Sequence, residues 1–158
     1  MDRMVHGLDH EGNGDAPLIG ALLRRPFLAS RAAIVAALHE AGFDDLQAAH
    51  LAVFQYPGPD GRSPGEIARA AMATKQAMNN LLGQLEGWGY LRRSVSPSNR
   101  RERIVDLTDR GHRVIAEIRR AVRTTEDRWE DALGEDDYRT LRALLAELNA
   151  HLDAESGD

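Results

Sequence analysis

Between residues 63 and 108 the chain changes periodicity twice, from two short helical patterns to two extended runs, and that order restricts its fold more than any other feature. Ser63 can cap a short helix, SPGEIARAA, with Pro64 at the first helical position and Glu66 placed to complete a capping box. A tight bend is expected at Met72 and Ala73. Thr74 can then cap TKQAMNNLLGQLEGWGY, in which Met78, Leu81, Leu82 and Leu85 recur at helical spacing and face inward. Lys75, Gln76, Asn79, Asn80, Gly83 and Gln84 are left on the outward face. Beyond Gly89, LRRSVSP and RERIVDLT are joined by SNR. Arg103, Val105 and Leu107 alternate there with Glu102, Ile104 and Asp106, as a hairpin strand requires.

The outward set carries amides and one lysine, with no acid before Glu86. Amides can donate and accept together at an adenine edge in the major groove, whereas acids would be repelled by phosphate. An amide-rich solvated helix shares this pattern, so the hairpin matters. Its tip holds Arg100 and Arg101, with Arg92, Arg93 and Arg103 close behind. Helix, turn, helix and basic hairpin make a winged helix-turn-helix, the wing shaped to reach phosphate or a minor groove. The expected fold class is therefore mainly α with a small β wing.

Charge is segregated in the same way. The 158-residue chain has a formal net charge of −5, yet residues 62–113 hold ten Lys or Arg against five Asp or Glu. That window is positive by five and the remainder negative by ten, so local field rather than isoelectric point governs docking. The absence of cysteine excludes disulfides, thiolate zinc sites and thiol redox sensing. Arg24 and Arg25 interrupt the first apolar run, and the N-terminus lacks a signal-peptide pattern, so no membrane partner is expected and a cytoplasmic location is the simplest reading. Catalytic signatures are missing: His39-Glu40 has no second His at metalloprotease spacing, and Gly87-Trp88-Gly89 lacks a preceding strand. Asp44-Asp45 and the acids at 135–137 fit helix starts. His39, His50 and His112 form no recognisable ligand set, so no metal or other cofactor is expected.

Taken in order, residues 1–16 lack periodicity and read as a flexible tail. Residues 17–42 carry a helical pattern in which Pro26 either kinks the helix or begins its main part. The winged region spans 43–110, with a recognition helix at 74–88 and a wing at 91–108. Its first helix, DLQAAHLAVFQ, starts at Asp44 or Asp45 and is followed by the turn PGPDG. Residues 109–152 form two helices. Ile115, Ile118, Val122, Thr125 and Trp129 make a narrow coiled-coil-like seam on one, and Leu141, Leu144, Leu145, Leu148 and Leu152 share a face of the other. Residues 153–158 read as a frayed tail. These seams exceed what a small winged domain can cover. Ile19, Leu22, Leu23, Ile118, Val122, Trp129, Leu141, Leu145 and Leu148 are the candidate dimer interface, the rival being packing within one chain.

The runs TKQAMNNLLGQLEGWGYLRR and PSNRRERIVDLTDRG resemble the MarR family, the multiple-antibiotic-resistance type of bacterial transcription regulator. Val105, Leu107-Thr108 and Gly111 match its V-x-L-T-x-x-G motif, and the resemblance extends over about residues 18–152. Asn99 departs from it, standing where the family usually has an Asp that orients the wing arginine, here Arg101; a looser wing would follow. The resemblance implies dimerisation through the terminal helices and repression relieved by a small aromatic or lipophilic effector, bound between those helices and the winged domain. Arg31, His50 and Phe54 are the candidates to line that cleft. For double-stranded DNA, Gln76, Asn79 and Asn80 are expected on base edges and Lys75 and Thr74 on phosphate. Arg101 and Arg100 are expected in the minor groove, with Arg103 nearer the backbone. The rival readings are a winged-helix protein–protein module and a metal-responsive regulator.

Overall fold

The computed structural model describes residues 16–55 and 57–156; the tail expected at 1–16 therefore lies almost wholly outside the described residues. In chain order come α1 (Ile19–Glu40), a 3-10 turn (Ala48–Ala52), α2 (Pro64–Ala70) and α3 (Lys75–Gly87). The hairpin β1 (Leu91–Val95) and β2 (Arg103–Leu107) follows, then α4 (Asp109–Leu133) and α5 (Glu135–Ser156). The last helix continues through Ser156, so residues 153–156 are helical rather than frayed. Pro26 neither starts α1 nor ends it; it sits inside a continuous 22-residue helix.

The core gathers where α1, α3 and α4 meet the hairpin. Leu38, Leu46, Val53, Ile67, Met78, Leu82, Leu85, Leu91, Val105 and Val114 are buried there, joined by the whole of Tyr90. From α1, Ile34 and Leu38 are buried in this core, and Val35 and Ala37 pack half-buried against it. Leu18, Ile19, Leu22, Leu23, Phe27 and Leu28 on its first half are exposed, as are Leu141, Leu144, Leu148 and Leu152 on α5.

Local chemistry sets the short elements. The Ser63 amide donates to Glu66 Oε2 at 2.7 Å, and the Glu66 amide donates to Ser63 Oγ at 3.3 Å, closing the capping box of α2. Hydrogen bonds from the Ser63 amide, then from its hydroxyl, hold the Glu66 carboxyl below its ordinary pKa. The hairpin pairs Leu91 with Leu107 and Arg93 with Val105, and the loop before α2 adds a bridge from Arg62 to Val105. Asp60 Oδ1 accepts from the Leu107 amide at 2.7 Å, tying that loop to the wing.

Thr108 shows why the wing runs straight into α4. Its hydroxyl accepts from the Gly111 amide at 3.2 Å and donates to the Gly89 carbonyl at 2.6 Å, so one side chain caps α4 and fixes the end of α3. Gly111 is required by contact: a Cβ there would lie 2.1 Å from the Tyr90 carbonyl oxygen and 2.9 Å from Leu107 Cδ2. The glycine of the V-x-L-T-x-x-G pattern is thus the point where α4 crosses the backbone leaving α3.

The helix expected from Asp44 or Asp45 is instead the 3-10 turn. The His50, Val53 and Phe54 amides donate to carbonyls three residues back, at 3.0, 3.0 and 3.2 Å. Two features select the tighter form. Gln47 and His50 cap each other reciprocally, which starts the segment late. Asp45 cannot cap it, because its carboxylate receives hydrogen bonds from the Tyr90 hydroxyl and from Arg110, the latter at 3.2 Å. Arg110 also lies over the Tyr90 ring, 4.3 Å from its centroid, and donates to the Trp88 carbonyl at 3.0 Å. Burial first, with the Asp45 hydrogen bond behind it, pushes the Tyr90 phenol up to about 12.

Candidate nucleic-acid interface

Helix α3 is fixed from behind and open in front. Met78, Leu82 and Leu85 are wholly buried, while Lys75, Gln76, Asn79, Asn80, Gly83 and Gln84 are exposed, the division that the 3.6-residue period demands. Thr74 Oγ1 accepts from the Ala77 amide at 3.1 Å and sets where the helix begins. The bend before it is made by Met72, the sole non-glycine residue with positive φ (49°) among the described residues. Its side chain is 96% exposed.

The wing stands beside this face. Arg93, grouped in the sequence with the free cations behind the tip, is instead a strut. Its guanidinium donates to Asn79 Oδ1 at 3.4 Å and to the Asn79 carbonyl at 3.3 Å, and its Nε faces Glu86 Oε2 at 3.4 Å. The first strand thereby grips α3 along its length, and the one acid late in the helix is neutralised. Asn79 keeps its amide hydrogens for a partner in front. Arg92 pairs weakly with Asp106 at 3.8 Å while remaining exposed.

Asn99 closes the tip. Its side-chain oxygen accepts from the Arg101 amide at 3.1 Å, its carbonyl accepts from the Glu102 amide at 2.9 Å, and the Ser96 amide donates to the Glu102 carbonyl at 2.9 Å. The substitution of Asn for the usual acid therefore keeps a side-chain acceptor at the turn and removes a charge from it. Arg100, Arg101 and Arg103 are exposed, and no ion pair among the described residues involves them or Lys75. Between the wing, α3 and the start of α2 runs a cleft of about 600 Å³ that Arg69, Lys75, Asn79, Arg93, Arg101 and Arg103 line. Of its two acids, Glu66 is occupied by Ser63 and Glu102 stands at the tip.

A second cleft, about 510 Å³, opens between α1, the 3-10 turn and α4. Phe27, Ile34, Leu51, Phe54, Ile118 and Val122 make it apolar, and Arg31, Arg119 and Arg123 supply its charge. Arg31 lies 5.3 Å from the centroid of the Phe27 ring and donates to the Ala48 carbonyl. Of the three residues expected at an effector cleft, Arg31 and Phe54 line this one and His50 does not. In a 3-10 turn residues three apart eclipse, so Leu51 and Phe54 share the cleft face and His50 points away with Val53. The expected α-helix would have aligned His50 with Phe54, four apart. Ile118 and Val122, named for the candidate dimer seam, pack half-buried against the core of the chain and line this cleft. Of the other residues named for that seam, Ile19, Leu22, Leu23, Leu141 and Leu148 are exposed, and Leu145 and Trp129 are half-buried. Arg119 and Arg123 were missed, although their spacing of four alongside Ile115, Ile118 and Val122 marks one helix face.

Among the described residues no group of three or more His, Asp or Glu is placed to hold a metal ion, and no helix is long and apolar enough to cross a membrane.

Comparison with known proteins agrees with this geometry. The MarR family pattern matches residues 41–102. The HTH-type transcriptional repressor Rv2887 of Mycobacterium tuberculosis is 34% identical over 137 residues, spanning 86% of this chain and 96% of that protein. Its structure in complex with salicylic acid superposes with a TM-score of 0.61 at 31% identity, over 85% of this chain and 98% of that one. The repressor CouR bound to a 23-mer DNA duplex gives a TM-score of 0.64 at 29% identity, over 84% of this chain and 92% of that one. An amide-bearing helix beside an arginine-tipped wing, on a scaffold shared with these repressors along nearly their whole length, makes this chain a member of the MarR family of non-enzymatic, DNA-binding transcription regulators.

Proposed function

We propose that the protein is a homodimeric cytoplasmic repressor that reads a pseudo-palindromic operator and leaves it when an anionic aromatic molecule fills the cleft between α1 and α4. The observation that carries the DNA reading is the front of α3. Glu86 on the helix and Glu66 beside it are engaged by Arg93 and Ser63, while Lys75, Arg100, Arg101 and Arg103 around it enter no ion pair among the described residues. Gln76, Asn79 and Asn80 contact base edges in the major groove, and Lys75 with the Thr74 end of the helix sits on phosphate. Arg101 enters the adjacent minor groove with Arg100 beside it, and Arg103 meets the backbone.

Dimerisation follows from surface chemistry. Leu22 and Leu23 on the first half of α1 and Leu141, Leu144 and Leu148 on α5 are exposed among the described residues, and a second copy covers both faces at once. Two α3 helices then present themselves about one DNA turn, ~34 Å, apart. The effector class follows from the second cleft: aromatic walls from Phe27 and Phe54 with three arginines fit a ring bearing a carboxylate. Salicylate, which the mycobacterial relative binds, is the natural probe.

The test is selection of bound duplexes from a random pool, followed by gel shifts with salt and salicylate varied. A two-fold-symmetric consensus, bound by a dimer and released by salicylate, is the expected result. An asymmetric site bound by a monomer would sink the dimer reading, and full occupancy at saturating salicylate would sink the effector class.

A further inference from the structure

We propose that His50 is a positioning residue that couples the floor of the α1–α4 cleft to the recognition helix through Gln84. The inference rests on reading that cleft as a ligand site and names the route by which it is heard at the DNA.

Hydrogen-bond bookkeeping fixes the state of the ring. The Gln47 backbone amide lies 2.9 Å from His50 Nδ1, and an amide N–H can only donate, so Nδ1 carries the lone pair. The ring proton is therefore on Nε2, which donates to Gln84 Oε1 at 2.8 Å. One neutral tautomer satisfies both partners, and the ring is buried, so neither bond is readily exchanged for water. The same ring stands edge-on to Trp88, the C-cap residue of α3, at 5.1 Å between centroids.

His50 is thus bolted to the C-terminal half of α3 while its neighbours face the other way. Leu51 and Phe54 line the cleft; the 3-10 turn carries His50 and Leu51, and Phe54, just beyond its end, is tied to it by its amide donating to the Leu51 carbonyl at 3.2 Å. A molecule that pushes Phe54 must rotate that segment and shift His50 against Gln84. Gln84 lies one helical turn from Asn80 on the exposed face of α3, so the displacement reaches the reading surface directly. Arg93 and Arg110 also hold α3, but neither lines the cleft. Coupling is reciprocal: if cleft and helix speak through His50, DNA on α3 must tighten the turn beneath the cleft.

Hydrogen exchange on the full chain tests this, with operator duplex from the random pool held at saturation for each variant. Operator is expected to slow exchange of the Gln47, Val53 and Phe54 amides about fivefold, the low end of ordinary couplings, in the wild type. Gln84→Glu, which keeps an acceptor for Nε2, retains that slowing; Gln84→Ala, a change at an exposed position that favours helix, abolishes it. Equal slowing in Gln84→Ala, or none in the wild type, overturns the proposal. Salicylate binding, followed by calorimetry, separates the two readings. If salicylate does not bind while the operator effect depends on Gln84, the coupling stands and the ligand class falls. If salicylate releases operator equally from wild type and Gln84→Ala, the coupling falls and the ligand site stands.

Discussion

The front of α3 and the outer faces of α1 and α5 are both open to solvent, yet they are unfinished in different ways. On α3 the exposed groups are amides and cations that water satisfies, so the helix is stable without its partner and the vacancy is one of recognition. On α1 and α5 the exposed groups are leucines, isoleucine and phenylalanine, which water does not satisfy. The first surface can wait for DNA. The second, on the dimer reading proposed above, is covered by another chain before DNA is bound.

The sharpest way to break that contrast is to charge the apolar face. Leu144→Glu with Leu148→Glu places acids where 59% and 44% of the side chains are already exposed, so a single chain should fold normally. Dimerisation should vanish by sedimentation, and operator affinity should drop by about 10³, since linked half-sites bind that much more tightly than one. A folded dimer with full affinity would mean that the leucines are ordinary surface.

Gly111→Ala probes the opposite claim, that the reading module is finished within one chain. Its Cβ meets backbone at 2.1 Å, so unfolding in urea should show a loss of about 3 kcal/mol independent of protein concentration. Next in size, Gln76→Ala should cost about 2 kcal/mol at operator and little on random DNA. Asn79→Ala should cost as much but also loosen Arg93, so its loss spreads to both DNAs. Equal losses on both DNAs for Gln76 would remove it from base readout.

Tyr90→Phe deletes the bond to Asp45 and should cost about 1.5 kcal/mol at neutral pH. The phenol is raised from 10.0 to about 12 on folding, so its contribution is complete below about pH 10 and is lost as pH climbs through 12. Thermal melts of the Phe variant should therefore show a shallower alkaline decline. The smallest effect is expected at Arg101. Its replacement by Ala should flatten the logarithmic salt dependence of DNA binding by about one unit, and an unchanged slope would take the wing out of the interface.

The register of α3, the Thr74 cap that starts it, the Ser63 cap of α2 and the wing were readable because each rests on local rules: period, cap chemistry and strand alternation. What was not readable depends on partners far along the chain. The stretch Asp45 to Gln55 is too short to separate a period of 3.0 from 3.6, and the Gln47–His50 cap that decides the matter is outside the usual Ser-x-x-Glu pattern. Arg93 became a strut because β1 leaves α3 at an angle that brings it back over Asn79, fourteen residues earlier. The arginine-lined cleft needs α1 and α4 side by side, a pairing between residues far apart in the sequence.

The knot of Asp45, Tyr90 and Arg110 carries a last consequence. It fastens the segment before the 3-10 turn, the exit of α3 and the root of α4 to one another. None of these can open while the others stay shut, so the DNA-reading half should melt as one cooperative block.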